Sequence, residues 1–193
     1  MNSAVLFQSF PELSSDKIVL RKIIPSDLEE VFALYSNASV FEYCGILTKK
    51  NKDVVLSSIG HFERDFRQQK RIKWGIAIKG AEDRITGIIE ATDFNKNVNR
   101  VTIGYFLHPD SWHKGYATEA VRILVSFLFE KAGFNRIQAE VMPANIYSKK
   151  VLLKNGFLYE GTLRQATIWP GKGLVDLEHY AILASDDAAG MSS

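Results

Sequence analysis

The segment Ile103-Gly104-Tyr105-Phe106-Leu107-His108-Pro109-Asp110-Ser111-Trp112-His113-Lys114-Gly115-Tyr116-Ala117-Thr118-Glu119-Ala120 constrains this chain more than any other. It reads as a strand, a short loop of small and polar residues, and a helix that starts inside the loop. The first amides of a helix have no intrahelical partner, and the positive end of the helix dipole lies behind them. Gly115 and Ala117 keep the loop low, so a phosphate can approach the N–H groups of His113, Lys114, Gly115, Tyr116, Ala117 and Thr118. Lys114 adds a cation at the same mouth. On residue chemistry alone this is either a pyrophosphate site or a plain turn before a core helix. It is not a Walker loop, because no glycine-rich run ends in Lys followed by Ser or Thr. With one glycine it is not a dinucleotide fingerprint either.

The rest of the chain supplies the frame. Lys17 to Ile23 alternates as a strand, and Pro25-Ser26-Asp27-Leu28-Glu29 offers a helix start with Ser26 as cap and Glu29 three residues on. A second helix runs from about Asn51 to Gln69. Strands follow at Ile72 to Lys79 and Arg84 to Phe94, joined by Gly80-Ala81-Glu82-Asp83, and at Arg100 to His108. A long helix spans about Lys114 to Lys131 and stops at Gly133. Then come a strand (Asn135 to Met142), a helix (Asn145 to Lys154) and two closing strands, Tyr159 to Trp169 and Leu174 to Leu183. Strands and helices in this order predict an α/β (α+β) fold with a twisted, mixed, mostly antiparallel sheet of about seven strands, not a doubly wound parallel sheet. Residues 1–15 are expected to form an arm, 16–184 the folded domain and 185–193 a disordered tail.

Composition narrows the function classes. At 193 residues a single domain buries roughly 70% of the surface its unfolded chain exposes, so it needs no staple. With 24 basic and 22 acidic residues the net charge is +2, too mild to argue for nucleic acid. No apolar run approaches the ~20 residues of a membrane span. The N-terminus lacks the pattern of a signal peptide, and the lone Cys44 suits a reducing compartment, so a cytoplasmic location is expected. Cys44 is read as a small buried hydrophobe. His61, His108, His113 and His179 show no metal-like spacing.

The loop resembles the acyl-coenzyme A loop of the GNAT superfamily of N-acetyltransferases. That pattern is Gln or Arg, two residues, Gly, one residue, then Gly or Ala. Here Trp112-His113-Lys114-Gly115-Tyr116-Ala117 fills it, with Trp112 in place of Gln or Arg. The longer string Trp-x-Lys-Gly-Tyr-Ala-Thr-Glu-Ala resembles, more narrowly, the ribosomal-protein N-terminal acetyltransferase (RimJ/RimL-like) branch. A second block supports this: Asn145-Ile146-Tyr147-Ser148-Lys149-Lys150-Val151-Leu152-Leu153-Lys154-Asn155-Gly156-Phe157 is similar to that branch's Asn-x-x-Ser-x-x-Val-Leu-x-Lys-x-Gly-Phe. The resemblance runs from about Asp16 to Leu183 and implies a sheet splayed at one parallel strand pair, with helices on both faces.

It also implies a chemistry. The cofactor would be acetyl-CoA. The backbone at Phe106 and Leu107 would bind the pantetheine arm like an added strand, the amides of residues 113–118 would hold the pyrophosphate, and Asn145 would bond the pantetheine or a nearby backbone group. A neutral amine would attack the acetyl carbonyl directly. Many members protonate the leaving thiolate with a tyrosine; Leu152 stands at that position, and Ser148 takes the role here, ahead of Tyr147. The usual glutamate base is replaced by Thr102, so Glu90 on the preceding strand is the candidate base, acting through water. Phe41, Tyr43 and Trp169 would border the acceptor cleft, and Asp176 and Glu178 face either a cationic substrate or solvent.

The missing base bears on the acceptor. At pH 7.5 a lysine amine costs about 4 kcal/mol to deprotonate, and an α-amine about 0.4. This suits an α-amine and a small amine of low pKa equally, and the resemblance implies a protein N-terminal α-amine of the ribosomal type. A small amine (polyamine, amino acid or drug) and a non-catalytic acyl-CoA sensor are the alternatives. The protein is expected to act as a monomer or homodimer, without nucleic acid or membrane.

Overall fold

The computed structural model describes residues 3–186. Eight strands, β1 (Leu13–Ser14), β2 (Ile18–Lys22), β3 (Arg71–Ile78), β4 (Ala81–Asn95), β5 (Arg100–Leu107), β6 (Arg136–Val141), β7 (Leu158–Trp169) and β8 (Gly173–Leu183), form one sheet. The helices are α1 (Ser3–Phe7), α2 (Leu28–Ser36), α3 (Lys52–Arg67), α4 (Tyr116–Ser126) and α5 (Ile146–Lys154). The long helix expected to reach Lys131 ends as α helix at Ser126 and continues as a π turn, Phe127–Lys131.

The strand order is β1-β2-β3-β4-β5-β6-β8-β7. Strands β5 and β6 run parallel, and the other neighbours antiparallel. One core cluster lies on the face covered by α4 and α5, with Ile89, Ile103, Val121, Leu124, Ile137 and Leu152. The other lies under α2 and α3, with Val31, Leu34, Tyr35, Val55, Ile88 and Phe106. The sheet is thus covered on both faces, as the sequence predicted, with one short strand more than expected.

That extra strand belongs to the lead-in, which is not a detached arm. Leu6 is fully buried, the Phe7 and Phe10 rings pack on Phe66, Phe94 and Trp74, and the Trp74 indole donates to the Pro11 carbonyl at 2.6 Å. Of the expected tail, residues 187–193 lie outside the described residues; the Asp186 carboxylate accepts from the Leu183 N–H at 3.0 Å.

Two local expectations change. The β3–β4 turn is Lys79-Gly80, tightened by Gly80 at φ +86°, with a bulge that moves the register just inside it. At the start of α2 the expected Ser26–Glu29 cap is absent among the described hydrogen bonds. Asp27 instead turns back: its carboxylate accepts from the Ile24 N–H at 2.8 Å and from both Arg21 terminal nitrogens at 2.9 and 2.7 Å. Arg21 also donates to the carbonyls of Lys22 and Glu82, so one ion pair clamps the β2–α2 corner to the β3–β4 hairpin.

Candidate active site

Strands β5 and β6 pair only at Arg100–Arg136, Val101–Ile137 and Thr102–Gln138. Beyond that point β5 continues to Leu107 beside β4, and β6 continues to Val141 beside β8, so the two strands part like the arms of a V. A side-chain bond from Gln138 Nε2 to Thr102 Oγ1 at 3.2 Å closes the apex. That bond accounts for Thr102, whose hydroxyl is a strut at the position where the resemblance would place a glutamate.

Ladder alternation decides which β5 groups line the opening. His108 N–H bonds Thr86 C=O at 2.8 Å, so Phe106–Ile88 and Gly104–Glu90 are the hydrogen-bonded pairs with β4. The main-chain groups of Ile103, Tyr105 and Leu107 therefore point into the V. This corrects the expectation for Phe106: its backbone belongs to the sheet, and its ring is buried against Tyr35 and Phe41, with centroids 5.8 and 5.2 Å away. Leu107 does face the opening, but its carbonyl accepts from the Trp112 indole N–H at 2.8 Å. Trp112, the residue that departs from the family pattern, thus ties the loop to the strand end.

The loop then turns sharply. Pro109–Ser111 form a 3-10 turn, and His113 and Gly115 adopt φ of +60° and +81°. Gly115 is the N-cap of α4 and has no side chain to satisfy its amides. The first intrahelical donor is Glu119 N–H, to Gly115 C=O at 3.0 Å, which leaves the N–H groups of Tyr116, Ala117 and Thr118 ahead of the ladder. A Cβ on Gly115 would meet nothing within 4 Å, so no other part of the protein crowds the loop at this point. His113, Lys114 and Gly115 are exposed. The fold therefore brings residues 113–118 together as a shallow cradle.

Helix α5 flanks the other arm. Asn145 caps it, its side-chain oxygen accepting from Ser148 N–H at 3.1 Å, so the amide NH2 is what this residue has left for a ligand. Asn155 donates to Thr118 C=O at 3.2 Å, fixing α5 beside the start of α4. Ser148 Oγ lies 2.9 Å from the Tyr105 hydroxyl, which also donates to Ser148 C=O at 3.1 Å. Tyr105 was missed by sequence reasoning; the two residues are 43 positions apart, and no local signal joins them. Leu152 is fully buried, and Tyr147 points outward with its ring edge-on to His113 at 5.1 Å.

On the α2/α3 face, Glu90 sits beside Gly104, where a Cβ would lie 3.4 Å from Glu90 Oε1. Its other oxygen, Oε2, is 2.7 Å from the buried Lys73 ammonium and 3.4 Å from Arg71 Nε. The pair fixes the carboxylate and leaves Oε1 facing β5. Trp169 packs on Gly45, and Lys172 lies over the Tyr43 ring at 5.2 Å, so the β7–β8 hairpin meets the α2–α3 loop above this face. A cavity of about 340 Å³ opens there, lined by Glu140, Leu163, Thr167, Trp169, Leu177 and His179. A larger one of about 460 Å³, around Asp65, Lys70 and Asp93, is set at the far end of β3–β4, beyond the apex of the V. The Lys149–Glu178 ion pair at 3.3 Å occupies Glu178, and Asp176 accepts from Gln165 N–H at 2.7 Å, so both carboxylates have structural partners. Cys44 is a packing residue: burial pushes its thiol up to about 11, and it donates to Val40 C=O.

A sheet splayed at its parallel pair, with exposed amides at the following helix, is the geometry the family resemblance implied. The model of the acetyltransferase (GNAT) domain matches residues 17–158. The chain belongs to the GNAT acetyltransferase family. It is 35% identical over 156 residues to the uncharacterized N-acetyltransferase YoaA of Bacillus subtilis, covering 81% of this chain and 88% of that protein. The ribosomal-protein-serine acetyltransferase of Escherichia coli is 28% identical over 85 residues, 44% of this chain and 48% of that protein. Among solved structures, a GNAT-family acetyltransferase from Bacillus anthracis superposes with a TM-score of 0.80 at 22% identity, covering 91% of this chain and 99% of that one. The chain is accordingly an N-acetyltransferase, and the acetyl donor of this GNAT family is acetyl-CoA. Among the described residues no helix is long and apolar enough to cross a membrane.

The Trp112 strut carries a prediction. Trp112→Phe keeps an aromatic ring but frees the Leu107 carbonyl and unhooks the loop. Loss of one such bond, worth about 1 kcal/mol, weakens acetyl-CoA binding roughly fivefold by calorimetry. An unchanged affinity would mean that the loop is held without it.

Proposed function

We propose that this acetyltransferase modifies a protein N-terminal α-amine of the ribosomal type, by direct attack of the neutral amine on the acetyl thioester. When bound, acetyl-CoA supplies an activated acetyl group. The chain's residues fit that group: the open cradle of main-chain amides at residues 113–118 suits a diphosphate. The unpaired Leu107 N–H and the groups of Tyr105 suit an extended amide-bearing arm. Ser148 is the proton donor to the departing sulfur. Water relays the amine's proton to Glu90 Oε1, the oxygen that its ion pair leaves open.

The observation that carries the choice of amine is the state of the carboxylate. Thr102 is spent on Gln138, and Glu90 is engaged in ion pairs with Lys73 and Arg71, so neither offers an unpaired carboxylate to an incoming amine. A site so equipped serves an amine of which a substantial share, about a third for an α-amine at pH 7.5, is already neutral. Likeness to the Escherichia coli ribosomal-protein-serine acetyltransferase supports the same acceptor. A second reading is a small amine of similarly low pKa, to which the same argument applies.

Thiol release from acetyl-CoA decides between them. A peptide with a free N-terminal serine is expected to be turned over at least tenfold faster than the same peptide blocked at its N-terminus and carrying a free lysine, and faster than spermidine. Preference for spermidine or the lysine amine would overturn the α-amine assignment. Tight cofactor binding with no amine acetylated would make the protein a sensor.

A further inference from the structure

Many family members carry a proton-donating tyrosine at the position of the fully buried Leu152, and the resemblance gives that role here to Ser148. A phenol nevertheless reaches Ser148 from the opposite arm of the V. Tyr105 lies on the stretch of β5 that has left β6, and its side chain crosses to α5 on the α4/α5 face, where the hydroxyl contacts Ser148 Oγ and Ser148 C=O at 2.9 and 3.1 Å. We propose that Tyr105 is a positioning residue that aims the Ser148 hydroxyl at the leaving sulfur, so that the Tyr105–Ser148 pair replaces the absent tyrosine. This rests on the acetyl-transfer reading above.

The phenol has one proton and two acceptors. With that proton on the Ser148 carbonyl, the serine hydroxyl points back at the phenol oxygen and both groups are satisfied. With it on Ser148 Oγ, the serine proton is released toward the opening between β5 and β6. Burial raises the phenol's pKa above the ordinary tyrosine range, with the Ser148 bond opposing the shift, so Tyr105 keeps its proton throughout. In the reaction the amine nitrogen bonds the acetyl carbon, and the carbon–sulfur bond breaks with its electron pair on sulfur. Ser148 Oγ gives its proton to that sulfur while the phenol hydrogen-bonds the charge left on Oγ. The proton lost from nitrogen passes through water to Glu90 Oε1 and from there, again through water, back to Ser148, so the pair and the carboxylate are unchanged at the end of the cycle.

Tyr105→Phe removes the hydroxyl and keeps the ring. With saturating acetyl-CoA and the N-terminal serine peptide, kcat is expected to fall roughly 100-fold, the low end for acid catalysis, while KM for acetyl-CoA stays within about twofold. Ser148→Ala should fall as far, and the double variant no further, because the two residues act as a unit. An acetyl thioester with an aryl leaving thiol of low pKa should restore both variants, since its sulfur departs without a proton. Unchanged kcat in Tyr105→Phe, losses that multiply in the double variant, or a loss the aryl thioester leaves unrepaired would each overturn the proposal. A wild-type protein inert toward every amine overturns the acetyl-transfer reading itself.

Discussion

Gly115→Val removes detectable acetyl-CoA binding while the protein stays folded. Gly115 adopts φ +81° and ψ 0°, a left-handed conformation that costs an L-residue about 1–2 kcal/mol, and a β-branched one more. Nothing lies within 4 Å of the position a Cβ would take, so the substitution meets no wall of protein. The new side chain instead projects into the open space at Gly115, at the mouth of the loop that precedes the Tyr116, Ala117 and Thr118 amides. Strain and obstruction act on the same few atoms, and together they are expected to weaken binding at least ~100-fold, about 2.7 kcal/mol. Calorimetry reads the affinity, and circular dichroism with thermal unfolding confirms that the fold persists. Gly115→Ala, with less bulk and less strain, should fall between. Wild-type affinity in the valine variant would mean that the diphosphate binds elsewhere.

For stability the largest expected effect is at Asp27. Its side chain is 3% exposed, and that of Arg21 15%, in a two-pronged ion pair. Removing one partner of a buried pair leaves the other charge uncompensated, at a cost of about 3 kcal/mol. For a chain of this size that lowers Tm by roughly 10 °C. The loss is structural in origin: Asp27 also holds Ile24 N–H at the entry to α2, the helix whose Tyr35 packs on Phe106 beneath the cleft. Asp27→Asn keeps an acceptor for Ile24 and should lose less. A Tm within about 2 °C of wild type for Asp27→Ala would show that the corner is held by packing alone.

The order of elements from β2 to β8 was legible because each carries its period plainly. Ile103 to Leu107 reads as strand, and the apolar stripe of α4 reads as helix. The cradle at Gly115 was legible for a related reason, since it is built from consecutive main-chain groups. What escaped depends on partners distant in sequence. The lead-in looked detached because Leu6, Phe7 and Phe10 follow no local period; their reason for order is Phe66, Trp74 and Phe94. Ser26 and Glu29 match a capping pattern, but the Arg21 guanidinium captures Asp27 instead. The Glu90–Lys73 ion pair follows from the pairing of the two residues across β3 and β4, and the shifts at Ile76, Ala77 and Ile78 prevent counting that register outward from the turn. The exchange of Phe106 for Tyr105 has a similar cause. Adjacent residues in a strand send their main-chain groups to opposite neighbours, and only the pairing with β4 says which faces the opening.

The main-chain amides around Gly115 bear the whole functional account, and a crystal structure with acetyl-CoA tests them directly. The expected result has diphosphate oxygens within ~2.7–3.2 Å of several nitrogens between residues 113 and 118, with the pantetheine arm running between β5 and β6 past Ser148. Diphosphate density away from this loop, or residues 112–116 rewound into continuous helix with the opening empty, would contradict it.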